Sequence, residues 1–299
     1  MIARTALLST LLLLAPAAWG SEPADTPQTV EQVCQRIANK LASVSYQDCA
    51  TTGLTISDGQ SVNQTPILLR EYPPLAQRTP LGRVLVLGGI HGDEYSSVSI
   101  TFKWMRTLEQ HHSGMFHWHV APLVNPDGLL QTPSQRMNAH GVDLNRNFPT
   151  PNWETESEAY WVRKTSRDPR RFPGTAALSE PETQWLTREI EDFKPDVIVS
   201  IHAPYGILDF DGPQEAPRRL GSLLLTPLGI FPGSLGNYAG ISRNIPVITV
   251  ELPNAGVMPR ISESERMWND LVRWLRKNLP ADAATHQARD RIKVQTEPS

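Results

Sequence analysis

Short, fully apolar runs alternate along the chain with amphipathic stretches. Three runs carry the pattern of strands buried on both faces: Arg83-Val-Leu-Val-Leu-Gly-Gly-Ile90, Asp196-Val-Ile-Val-Ser-Ile201 and Pro246-Val-Ile-Thr-Val250. Continuous apolar runs rich in β-branched residues fit an α/β sheet covered by helices. Phe116 to Val124 reads as a further strand, ending at the turn signal Asn125-Pro-Asp-Gly128. Helical spacing places Val30, Val33, Ile37 and Leu41 on one face, and Tyr95 to Leu108 reads as a second helix. Ser179-Glu-Pro-Glu182 opens a third, running to about Phe193, with a capping serine, an early proline and acids in the first turn. A last helix spans about Glu263 to Asn278. A strand-like or irregular stretch precedes Arg70, and a long loop rich in proline and arginine is expected from about Gly128 to Leu178.

Composition narrows this picture. With 299 residues, 39% of them hydrophobic and 20% charged, the chain can bury a core, which excludes wholesale disorder. A net charge of -3 gives no basic excess, so nucleic acid is not the expected partner. The first twenty residues read as an export signal. Arg4 is followed by an apolar run from Thr5 to Ala15, and Ala18-Trp19-Gly20 sets small residues before a cut ahead of Ser21. That run is short for a bilayer crossing and is interrupted by Ser9 and flanked by Pro16, so no stable membrane anchor is expected. A periplasmic or secreted location follows. There Cys34 and Cys49, fifteen positions apart, are expected to pair as a disulfide, with two buried thiols as the alternative.

The three apolar strands end in groups able to do chemistry: His91, His202 and Glu251. Ligands of open α/β sheets sit beyond the carboxyl ends of the strands, so distant residues are predicted to meet at one edge. His91-Gly-Asp-Glu94 is a His-x-x-Glu pair on a glycine-flanked turn. With His202 it supplies two nitrogens and a carboxylate, the three protein ligands of a catalytic zinc that keeps one position open. Glu251, outside that set, has the chemistry of a general base. Taken singly, His202 could be a hydrogen-bonded core histidine, and Glu251 an ion-pair partner. His111, His112, His117 and His119 form a further cluster before and within a predicted strand. His117 and His119 would share one strand face, as two metal ligands would. No third ligand is evident in the sequence, and a solvated loop and strand edge is the expected reading.

Seven pieces now stand in order: Gly88-Gly-Ile-His91-Gly-Asp-Glu94, Val124-Asn-Pro-Asp-Gly128, Arg136-Met-Asn138, Gly141-Val-Asp-Leu-Asn-Arg-Asn-Phe-Pro149, Ser179-Glu-Pro-Glu182, Ser200-Ile-His202 and Thr249-Val-Glu-Leu-Pro253. Over roughly residues 80 to 279 the chain resembles the zinc carboxypeptidase superfamily, and within it the bacterial murein peptide amidase branch. The resemblance implies a mixed, mostly parallel twisted sheet flanked by helices and one zinc ion per chain. It implies His91, Glu94 and His202 as zinc ligands, with Glu251 as general base. Arg136 matches the arginine that polarises the scissile carbonyl, a contribution on the order of several kcal/mol for such donors. Asn145 and Arg146 match the pair that grips the substrate carboxylate, a role suited to a planar guanidinium. Asp143 matches the carboxylate that orients the first zinc histidine.

Two departures separate the chain from the pancreatic-type enzymes. Asp93 stands where those carry an arginine, and Tyr238 is only the nearest in character to their mobile tyrosine. Both point to a specialised substrate. The resemblance implies hydrolysis of the γ-D-glutamyl–diaminopimelate bond of cell-wall stem peptides. Asp209 or Asp211, in Leu208-Asp-Phe-Asp-Gly212, is the hypothesised partner of the diaminopimelate ammonium. The alternatives are a broader carboxypeptidase on exported peptides, an aspartoacylase-type amidohydrolase, and a catalytically silent binding protein. The expected layout is a signal peptide over 1–20, an N-terminal segment over 21–80, a zinc peptidase unit over 81–279 and a loose tail over 280–299.

Overall fold

A computed structural model describes residues 28–279; the expected signal peptide and C-terminal tail lie outside the described residues. The chain opens with helices α1 (Val30–Lys40) and α2 (Tyr46–Ala50). Both begin with capping boxes, Thr29 with Gln32 and Ser45 with Asp48, so the first free amides of each helix find acceptors. The expected disulfide joins them, with Cys34 and Cys49 Cα atoms 5.4 Å apart. Strands β1 (Thr55–Gln60), β2 (Pro66–Tyr72) and β3 (Arg83–Leu87) follow, then α3 (Tyr95–His111), β4 (His117–Ala121) and α4 (Pro126–Leu130). After these come α5 (Trp153–Lys164), α6 (Pro181–Phe193), β5 (Val197–His202), β6 (Ile207–Asp211) and the short pair β7 (Arg219–Leu220) and β8 (Leu223–Leu224). A π-helical turn (Gly236–Ile241), β9 (Val247–Glu251) and α7 (Ile261–Asn278) complete the order.

Seven strands form one mixed sheet in the order β1-β2-β4-β3-β5-β9-β6. Its centre, β4-β3-β5-β9, is parallel, and β1, β2 and β6 pair antiparallel at the two margins. Three of the parallel strands, β3, β5 and β9, are those read from apolar runs, whereas β4 carries His117 and His119. Alternation along β3 feeds two cores. Val84 and Val86 face α1, α3 and α7, whereas Leu85 and Leu87 face α6 and the π-helical turn.

Three local expectations are corrected. Asn125-Pro-Asp-Gly128 is not a free turn; Asn125 caps α4, its side chain accepting from the Gly128 amide at 2.8 Å. The long segment after Gly128 is partly helical, because it contains α5. Strand β4 is not at an edge of the sheet, since β2 and β3 flank it on either side.

The segment around α5 is fastened by Asn147, whose side chain is fully buried. Its Nδ2 donates to the Pro173 and Ala176 carbonyls at 2.8 and 2.9 Å. Its Oδ1 accepts from the Glu180 amide and the Thr183 hydroxyl at 3.2 and 2.6 Å. One side chain thus ties this segment to the start of α6.

Candidate active site

The parallel centre of the sheet delivers three groups to one edge. His202 and Glu251 are the last residues of β5 and β9 and pair in register across the two strands. His91 and Glu94 lie in the turn between β3 and α3. That turn is buttressed by Asn125, whose Nδ2 donates to the carbonyls of Ile90 and Arg136 at 3.3 and 3.2 Å. Gly92 allows the contact: a Cβ there would collide with the backbone of Gly128 and Leu129.

The result is a buried cluster. His91 Nδ1 lies 2.8 Å from Glu94 Oε1, and His202 Nδ1 lies 3.1 Å from both His91 Nδ1 and Glu94 Oε2. All three residues are at most 4% exposed. Ligand atoms around a tetrahedral zinc are about 3.3 Å apart, given metal–nitrogen bonds of about 2.0–2.1 Å. The convergence of two imidazole nitrogens on one carboxylate at this spacing fits a zinc ion. The far ring nitrogens are held as ligands require. His91 Nε2 meets Asp143 Oδ1 at 3.1 Å, and His202 Nε2 meets Ser200 Oγ at 2.9 Å. The sequence motif contained Ser200, but its positioning role emerges only when β5 is seen to turn both side chains to one face.

Charges around the cluster are set by burial against partners. Burial works against ionising Glu94, but His91 and His202 hold it well below the usual carboxylate range. Asp143 is likewise buried, and Arg136 and His91 keep it ionised. Arg136 Nε and Nη2 both lie 3.0 Å from Asp143 Oδ2, and its Nη1 lies 3.1 Å from His91 Nδ1. Glu251 differs from the others. Burial raises its pKa, and its Oε2 is buried without a hydrogen-bond partner.

A cavity of about 400 Å³ opens in front of these groups. Asn145 and Arg146 line it, as the sequence predicts. Arg146 packs its guanidinium 4.6 Å from the Phe231 ring centroid, and its buried Nε has no hydrogen-bond partner. Asn145 uses Oδ1 to accept from the Leu235 amide at 2.8 Å. Asp209 and Asp211 line the same cavity. Burial raises the pKa of both, that of Asp211 to about 6 with Asp209 beside it. Tyr238 is not brought to the site; it is buried in the core and stacked on Phe148, with ring centroids 5.6 Å apart. Tyr160, Arg171 and Tyr205 line the cavity without having been singled out by sequence. Asp93 binds Arg170 at 2.8 Å, so an arginine from the α5 segment approaches the turn where the sequence has an acid.

Residues 25–207 match the sequence profile of the zinc carboxypeptidase family. The chain belongs to that family. It is accordingly a hydrolase of a zinc-dependent family, with the buried His91, Glu94 and His202 trio as a candidate metal centre. Murein peptide amidase A of Escherichia coli K12 is 35% identical over 202 residues, covering 65% of this chain and 79% of that protein. The protein of the same name from Vibrio campbellii is 35% identical over 204 residues, covering 66% and 78%. Carboxypeptidase A from Helicoverpa armigera superposes with a TM-score of 0.58 at 18% identity, covering 83% of this chain and 72% of that one, and so shares the fold.

Proposed function

We propose that this chain is an exported zinc peptidase that cleaves the γ-D-glutamyl–diaminopimelate bond of murein stem peptides. The observation that carries the reading is the meeting of His91, Glu94 and His202 beside a Glu251 oxygen that no protein group satisfies. Two murein peptide amidases among the relatives support the substrate class. The Cys34–Cys49 disulfide supports export, because such bonds persist in oxidising compartments. Among the described residues no helix is long and apolar enough to cross a membrane.

His91, Glu94 and His202 would hold the metal. A zinc ion held there would lower the pKa of a water and polarise the scissile carbonyl. Glu251 takes the proton from the attacking water and passes it to the leaving nitrogen. Arg136, fixed by Asp143, places positive charge where the oxyanion develops. Asn145 and Arg146 bind the carboxylate of the leaving side, the Arg146 Nε being unpaired and facing burial otherwise without an acceptor. Asp209 or Asp211 meets the ammonium of diaminopimelate, since a cation restores the ionised state that burial disfavours.

Mass spectrometry of purified muropeptides treated with the enzyme tests the reading, with C-terminal peptides as a parallel panel. Release of diaminopimelate-bearing products, abolished by a chelator, is expected. Trimming of ordinary C-terminal peptides with muropeptides left intact would overturn the murein assignment. Asp209→Asn and Asp211→Asn are expected to raise KM for the tripeptide; unchanged kinetics in both would remove them from ammonium recognition.

A further inference from the structure

Away from this site, a second trio of ligand-type side chains converges: Glu71, His117 and His119, each offering one atom within 4.8 Å of the others. The arrangement follows from strand register. Residues 117 and 119 of β4 point to one face of the sheet, and antiparallel pairing sets Glu71 of β2 directly across from His119. Glu71 Oε1 lies 2.8 Å from His117 Nε2 and 3.9 Å from His119 Nε2.

The second histidine is oriented as metal-binding histidines are. His119 Nδ1 meets Glu189 Oε1 of α6 at 2.6 Å, which leaves Nε2 directed at Glu71. Ligating histidines characteristically give their other ring nitrogen to a carboxylate. Phe193 fixes both rings: His119 stacks on it at 3.7 Å between centroids, and His117 meets it edge-on at 5.0 Å. Glu71 is half-exposed, so an ion can enter and retain a water. Bringing its oxygen from 3.9 Å to a tetrahedral edge of about 3.3 Å needs a side-chain shift of under ~1 Å. Two carboxylates, Glu71 and Glu189, would balance a divalent cation held by two neutral imidazoles.

We propose that Glu71, His117 and His119 form a second zinc site, with Glu189 as the residue that positions His119. It is remote from the chemistry. His117 and His119 pair with Arg83 and Leu85 at the start of β3, whereas His91 lies beyond its end. An ion there would clasp β2 to β4 and so hold the N-terminal segment against the central sheet. This adds to the single ion implied by the sequence resemblance.

Zinc per chain, measured by elemental mass spectrometry on the full chain equilibrated at micromolar zinc, tests the proposal. Two equivalents are expected for the natural protein and one for His119→Asn, with peptide hydrolysis retained. Glu71→Gln, at a half-exposed surface position, repeats the test should His119→Asn fold poorly. Glu189→Gln is expected to keep the ligands but weaken the second site about 10–100-fold, read from cobalt absorption during titration. One equivalent in the natural protein, a second taken up only at millimolar zinc, or two equivalents retained in both His119→Asn and Glu71→Gln would overturn it.

Discussion

Glu251 and Glu94 are both buried carboxylates at one strand edge, yet their surroundings drive them apart. Glu94 is surrounded by imidazoles and stays ionised, whereas Glu251 is desolvated and its pKa is raised. A raised pKa suits a group that must both accept and return a proton. Glu251→Gln is expected to lower kcat by about 10²–10⁴-fold while zinc content, measured on the same sample, stays unchanged. A variant that lost both together would assign Glu251 to metal retention instead. Asp211 gives a prediction of opposite character. Its folded pKa of about 6 exceeds the ordinary aspartate value of 3.8, so between the two the folded chain holds a proton that the unfolded chain releases. Stability of the substrate-free protein should therefore rise as pH falls from about 6 towards 3.8, through this group alone. Asp211→Asn should flatten that part of the profile in thermal melts at stepped pH; an unaltered slope would show that Asp211 is not strained by burial. The zinc-type ligands were legible at this scale because each of His91 and His202 follows an apolar strand. Glu71 was not, since its meeting with His119 depends on the register of two strands separated by the whole of β3 and α3.

Among the elements, the apolar runs were read well; the cap of α6 and the α5 segment were not, because Glu180 and not Ser179 is the N-cap of α6 and no side chain caps that helix. Only Trp153 and Ser157 of α5 are buried, so the helix has almost no core face to leave a periodic trace. Its attachment comes from Asn147 and from contacts that a linear pattern does not display. The disulfide belongs to this scale as well. Cys34 and Cys49 close a loop of 15 residues between two short helices, for which chain-entropy arguments give about 3 kcal/mol. Replacing both with serine is expected to lower Tm by about 5–10 °C for a chain of this size. Calorimetry under oxidising conditions measures the drop, and zinc uptake by His91, Glu94 and His202, which lie on other elements, should be unchanged. A change below about 1 °C would mean that α1 and α2 are held by packing alone.

Across the whole molecule, the parallel centre of the sheet follows from the sequence, and its antiparallel margins do not. β1, β2 and β6 are mixed in polarity, so their direction is set by where the chain returns rather than by their residues. The same central ladder that aligns His202 with Glu251 also governs how the protein will come apart. Its amides are sealed between two apolar layers, and His202 and Glu251 stay aligned as long as that ladder holds. Hydrolytic competence should then be the last property lost on gradual denaturation, with no inactive but otherwise intact form preceding it. Hydrogen exchange would register this as β5 and β9 amides in the slowest class, surrendering protection at the same denaturant concentration that ends turnover. Earlier loss of turnover would locate the weak point in the β3–α3 turn that carries His91 and Glu94.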